Sequence, residues 1–94
     1  MEIIVGMNNN NAEKIKTAFH PGIYLEEILS STEETVYQLG ARINVSEITL
    51  TKLIDGDITL DSNLASKLAQ GTGISKQTWI NLQMRYNASI NQNN

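Results

Sequence analysis

NVSEITLTKLIDG, Asn44 to Gly56, reads as a tight turn followed by a short amphipathic helix. Asn44 tolerates the left-handed backbone that such a turn needs. Ser46 supplies an N-cap oxygen, and Glu47 puts a carboxylate in the first turn, where the helix dipole favours it. Leu50, Leu53 and Ile54 fall on one face, and Asp55-Gly56-Asp57 ends the segment. Immediately upstream, TVYQLGARI predicts a second short helix, capped by Thr35 or Thr32, with Val36, Leu39 and Ile43 at helical spacing. Small Gly40 and Ala41 allow a neighbour to come close. Two short helices joined by a turn of three to four residues, the second presenting small polar side chains outward, meet the requirements of a helix-turn-helix.

The face opposite Leu50, Leu53 and Ile54 carries Glu47, Ile48, Thr49, Thr51 and Lys52. With Ser46 at the cap, and Thr35 and Tyr37 at the start of the preceding helix, these are the candidate DNA contacts. Side chains near the start of a reading helix reach base edges, while hydroxyls and helix N-termini hold phosphates. Glu47 can accept a hydrogen bond from the cytosine amino group, and the methyls of Ile48 and Thr49 can touch that of thymine. An acid at this place is therefore compatible with base reading, although a phosphate repels it.

Further helices follow on both sides. His20-Pro21-Gly22 suits a helix start, because proline is tolerated in the first turn and interrupts whatever precedes it. GIYLEEILSS then sets Leu25, Ile28 and Leu29 on one face and Glu26 and Glu27 opposite. Asp61 or Ser62 caps a fourth helix with Leu64, Ala65, Leu68 and Ala69, stopping at Gly71-Thr72-Gly73. Ser75 opens a fifth, with Trp79, Leu82, Gln83 and Tyr86 at helical spacing and Ile80 and Met84 to one side. The sequence thus predicts an all-α fold of five helices over residues 20–87, after an N-terminal extension (1–19) and before a disordered tail (88–94). Ala12 to Phe19 is expected to form a short helical turn. Glu2 to Val5 is the one stretch that reads as strand, and edge pairing with a partner is its expected use. The polar Asn8 to Asn11 run lacks apolar residues to offset the cost of ordering.

Composition narrows the function. In 94 residues the chain holds one small domain, able to bury roughly 60 to 65% of its unfolded surface, so dimerisation would add useful stability. Hydrophobic residues at 40% and charged ones at 18% are ordinary globular values, which sets disorder aside for most of the chain. There is no cysteine, so disulfides and thiolate metal sites are excluded, and a reducing cytoplasm suits the chain. No run approaches the roughly 20 apolar residues of a membrane helix. A net charge of -3 argues against broad affinity for nucleic acid, which comes from many Lys and Arg contacts. DNA binding must then be local.

Catalysis finds little support. His20 is the sole histidine, and its expected work is hydrogen bonding at the first helix start rather than metal ligation. Glu26-Glu27 and Glu33-Glu34 are adjacent pairs that point in different directions on a helix, as a solvated face does. Ser46 has no histidine base nearby in sequence, so it reads as a cap. No phosphate-cradling glycine loop is present. The expectation is a protein without enzymatic activity, metal or cofactor. Trp79 and Tyr86 serve either as core or, with Ile80, Gln83 and Met84, as a dimer or partner interface, since aromatics are common in both places.

HPGIYLEEIL, LGARINVSEITLTKLIDG and LDSNLASKLAQGTGISKQTWINLQMRYN, taken together, resemble the HigA or VapI family of antitoxins within the XRE-type helix-turn-helix regulators. The resemblance spans His20 to Tyr86. It rests on the opening His-Pro-Gly, the Val45-Ser46 turn, the Asp55-Gly56 helix end and, above all, the run from Trp79 to Tyr86, which a general repressor would lack. It implies a lambda-repressor-like fold and a homodimeric, cytoplasmic antitoxin. Such a protein neutralises a HigB-like, RelE-fold, mRNA-cleaving toxin and represses its own operon at an inverted-repeat operator.

Departures from the family pattern cluster on the DNA side. Val36 stands where a polar residue, commonly Gln, is usual; Glu47 replaces a basic residue; Asp57-Ile58 replaces a Lys-Arg pair; and Thr72 replaces an apolar residue. Each lost basic contact removes roughly one released counterion, so a lower DNA affinity and a shallower salt slope are expected than for a basic relative. Two alternatives follow: an interaction module of this family that no longer binds DNA, and a stand-alone repressor without a toxin.

Overall fold

Residues 18–91 are described by the computed structural model of the chain. Five helices follow one another: α1 (Pro21–Thr32), α2 (Val36–Ile43), α3 (Glu47–Ile54), α4 (Ser62–Thr72) and α5 (Lys76–Asn91). There is no strand among the described residues. The expected strand at Glu2 to Val5, the Asn8 to Asn11 run and most of the expected turn at Ala12 to Phe19 lie outside them. Ala18 and Phe19, which do not, are non-helical.

Local chemistry sets the helix ends. His20 caps α1, its Nδ1 accepting the Gly22 N–H at 3.0 Å while its Nε2–H donates to the Ile58 carbonyl at 2.9 Å. Both bonds require one neutral tautomer, and together they tie the start of α1 to the α3–α4 loop. Thr35 caps α2 through a reciprocal box with Gln38: the Thr35 hydroxyl accepts the Gln38 N–H, and Gln38 Oε1 accepts the Thr35 N–H. Of the two caps considered for α4, Asp61 is the one used, its Oδ1 accepting the Leu64 N–H at 2.8 Å. Ser75 caps α5 by accepting the Thr78 N–H.

One core joins the helices. Leu25 and Leu29 of α1, Leu39 and Ile43 of α2, Leu50 and Leu53 of α3, and Leu64, Ala65 and Leu68 of α4 are buried around Trp79 of α5. α1 packs on α3 and α5, and α4 on α2 and α5. A Cβ on Gly22 would collide with the Leu53 carbonyl and Ile54, so glycine is what lets α1 lie directly on the end of α3. Fully buried leucines such as Leu50 and Leu53 are each worth roughly 2 to 5 kcal/mol against alanine.

α5 corrects the expected tail boundary. Ala88 to Asn91 are helical rather than disordered. A helix already anchored by Trp79 and Gln83 extends without a new nucleation cost, and the Gln83 Nε2 to Asn87 Oδ1 hydrogen bond at 2.9 Å supports the last turns.

Candidate nucleic-acid interface

The turn between α2 and α3 is built by backbone constraints. Asn44 adopts the left-handed conformation (φ 61°) predicted for it, and the Val45 N–H donates to the Gly40 carbonyl at 3.0 Å. A Cβ on Gly40 would overlap the Val45 carbonyl. The close neighbour that Gly40 admits is therefore the chain's own turn, while Ala41, paired with it in the sequence reading, is exposed. Half-buried Val45 packs on the core, which fixes the angle between the two helices.

Ser46 opens α3 with a double contact: its Oγ accepts the Thr49 N–H at 3.1 Å and donates to Thr49 Oγ1 at 2.8 Å. Thr49 is consequently half-buried rather than fully outward as predicted, yet its hydroxyl keeps a proton to donate. Leu50 and Leu53 are buried and Ile54 half-buried. Glu47, Ile48, Thr51 and Lys52 are exposed, Ile48 by 69%. Tyr37, 68% exposed, shares a shallow concavity with Gly40, Ser46 and Glu47. Thr35 and Thr51 line a separate cleft with Glu26, Glu34 and Val36. Of the eight predicted residues, Tyr37, Ser46 and Glu47 line the first depression and Thr35 and Thr51 the second, while Ile48, Thr49 and Lys52 line neither. Val36, which replaces the family's usual polar residue, packs against the core from inside the second of them.

Arg42 is withdrawn from this surface. It forms a two-point pair with Glu34, Nε to Oε2 at 2.7 Å and Nη2 to Oε1 at 2.8 Å, and Nη2 also donates to the Gly71 carbonyl at 3.0 Å. These hydrogen bonds hold the Glu34 carboxyl below its ordinary range and raise the Arg42 guanidinium. Lys52 is the remaining cation of the α2–α3 unit and has no ion-pair partner among the described residues. Gln38, which locks the start of α2, is legible in the sequence as Thr35-x-x-Gln38, a capping-box signature.

The predicted partner surface needs correction at two residues. Trp79 is fully buried, and Gln83 is only 5% exposed. The indole Nε1–H donates to Thr72 Oγ1 at 3.4 Å, and Gln83 Oε1 accepts the Leu60 N–H at 2.8 Å. Both hold the domain together and have no surface to offer a partner. Thr72 also donates to the Leu68 carbonyl and accepts the Ile74 N–H, so its hydroxyl has work that an apolar side chain could not do. Tyr86 is half-buried with its ring edge-on to His20, centroids 5.0 Å apart. Ile80 is half-buried, and Met84 is 60% exposed. No group of three or more His, Asp or Glu gathers for a metal among the described residues, and none of their helices is long and apolar enough to cross a membrane.

No family model and no curated protein matches the chain by sequence. Solved structures do match. A protein from Nostoc punctiforme described as an antidote of a plasmid maintenance system has a TM-score of 0.78 at 22% identity, covering 82% of this chain and 85% of that one. An addiction-module antidote of the HigA family from Coxiella burnetii gives 0.72 at 25% identity over 79% and 82%. The antitoxin HigA of Pseudomonas aeruginosa, solved with the higBA promoter, gives 0.71 at 26% over 77% and 79%. The chain shares the fold of HigA-type helix-turn-helix antitoxins. Because the matches cover more than three-quarters of both partners, the HigA-type likeness extends over most of the chain rather than over the two-helix motif alone.

Proposed function

We propose that the chain is the antitoxin of a two-gene toxin–antitoxin module, binding its own operator as a homodimer and neutralising a HigB-like, mRNA-cleaving toxin. The supporting observation is the α2–α3 unit, which leaves Glu47, Ile48, Thr51 and Lys52 exposed on a fold shared with an antitoxin solved with promoter DNA. A two-fold dimer would set its two α3 helices about 34 to 36 Å apart, one DNA turn, on an inverted repeat. Half-buried Ile80 and exposed Met84, one turn apart on α5, are the residues this reading offers to a second copy or to the toxin, while Tyr86 lies on another side of the helix against His20. Thr35, Tyr37 and Thr49 contribute hydroxyls for phosphate, and Lys52 the one local cation.

A specific observation also favours a second reading. With Arg42 engaged by Glu34 and an acid at position 47, the reading face has little positive charge, as an interaction module without DNA binding would. Fluorescence-anisotropy titration against the chain's own upstream DNA and a scrambled duplex, at two salt concentrations, separates them. The operator reading expects tighter, salt-dependent binding to the upstream DNA. Equal affinity for both duplexes refutes it and leaves the interaction module.

A further inference from the structure

We infer that Glu47 and Ile48 are the specificity determinants of α3, selecting a cytosine and an adjacent thymine in each operator half-site; this rests on the DNA-binding reading above. Glu47 stands at the first position of α3, exposed, with no hydrogen bond or ion pair to another described side chain. Its surroundings in the concavity, Tyr37, Ala41, Asn44 and Ser46, include no cation. An ionised carboxylate only accepts hydrogen bonds. In the major groove, guanine presents acceptors at O6 and N7, and thymine an acceptor at O4, so both oppose it. Adenine offers its N6 amino group beside the N7 acceptor, an arrangement that suits an amide and sets a carboxylate against N7. Cytosine presents the N4 amino group alone and is the edge this side chain fits.

Ile48 is next along the helix and leaves most of a branched alkyl group in water. A thymine C5-methyl on a neighbouring step is the apolar feature the groove provides for it. The acid also discriminates by rejection. Away from a cytosine it faces phosphates and acceptor edges, so wrong sites are penalised as well as the right one rewarded. A reading face poor in positive charge thereby exchanges general affinity for selectivity.

Selection from a pool of duplexes carrying 20 randomised base pairs tests this with the full-length wild type, Glu47→Gln, Glu47→Ala and Ile48→Ala. Wild type is expected to enrich cytosine at one position of each half-site, disfavouring other bases there by roughly 5- to 150-fold, the range for a direct base contact. Glu47→Gln should move that preference to adenine, whose N6 and N7 match an amide, and should bind unselected duplex more tightly because a repulsive charge is gone. Glu47→Ala should erase the preference. Ile48→Ala should lose the thymine preference at the adjacent position. A helix-capping role alone would change thermal stability and leave the selected sequence untouched. Identical selected sequences from wild type and both Glu47 variants overturn the inference while the operator reading stands. A wild-type pool without enrichment overturns both.

Discussion

Gly40→Ala tests whether the helix-turn-helix angle is set by backbone contact. In an ordinary helix interior the change would stabilise by about 0.8 kcal/mol, because alanine is the better helix former. Here the new methyl meets the Val45 carbonyl, a backbone atom that no rotamer can move aside. The turn must open, which costs the hydrogen bond from the Val45 N–H to the Gly40 carbonyl, about 1 kcal/mol. Overpacking adds about 1 to 3 kcal/mol. The balance is a loss of about 1 to 3 kcal/mol, and at roughly 4 to 8 °C per kcal/mol for a small domain the melting temperature should fall by about 5 to 20 °C. Ala41→Gly, at an exposed position of the same helix, is the control and should cost about 0.5 to 1 kcal/mol from propensity alone. Thermal melts followed by far-UV circular dichroism read both. A Gly40→Ala protein melting within about 2 °C of wild type would refute the reasoning, since the methyl would then have found room.

Four other substitutions probe separate parts of the molecule. Gln83→Met leaves the buried Leu60 N–H without its acceptor; urea unfolding should show a loss of about 1 to 3 kcal/mol in midpoint stability with an unchanged m-value. Thr72→Val keeps the shape but removes the hydroxyl shared by Leu68, Ile74 and Trp79, and should cost about 1 to 2 kcal/mol in the same assay. Glu34→Gln tests the pair with Arg42. Because the folded Glu34 carboxyl is depressed, its contribution is present above the ordinary glutamate range and lost as pH falls through the depressed value. Wild type should melt higher than the variant at neutral pH and the two should converge in acid. Lys52→Ala should weaken binding to all duplexes and make the log–log salt slope shallower by about 0.9, as read by anisotropy.

Local features of this chain were legible and distant ones were not. Ser46 as cap, Asn44 as a left-handed turn residue, and the Leu50–Leu53 buried face each depend on neighbours within one or two helical turns, so spacing and residue type suffice. Trp79 and Gln83 show where this fails. Helical spacing puts them on one face of α5, but whether that face meets the domain or a partner depends on Thr72 and on Leu60, which is 23 residues from Gln83. The withdrawal of Arg42 depends likewise on Glu34, in the connection before α2, and on Gly71 in α4. A composition-level count includes that arginine among the available charges, whereas the folded chain has already engaged it. The extra helical turn at Ala88 to Asn91 belongs to the same class, since a polar sequence extends a helix readily once its beginning is anchored.

The division of labour around the α2–α3 turn bears on how such a protein changes allegiance. Gly40, Asn44, Val45 and Ser46 hold the scaffold through backbone and capping contacts, whereas the side chains of Glu47, Ile48, Thr51 and Lys52 point away from it. Exchanges at the second set are nearly invisible to folding, so a duplicated copy can drift to a new operator without passing through an unstable intermediate. Gene copies kept in one cell could in this way stop repressing one another after a few surface substitutions, while the framework that positions the helix stays fixed.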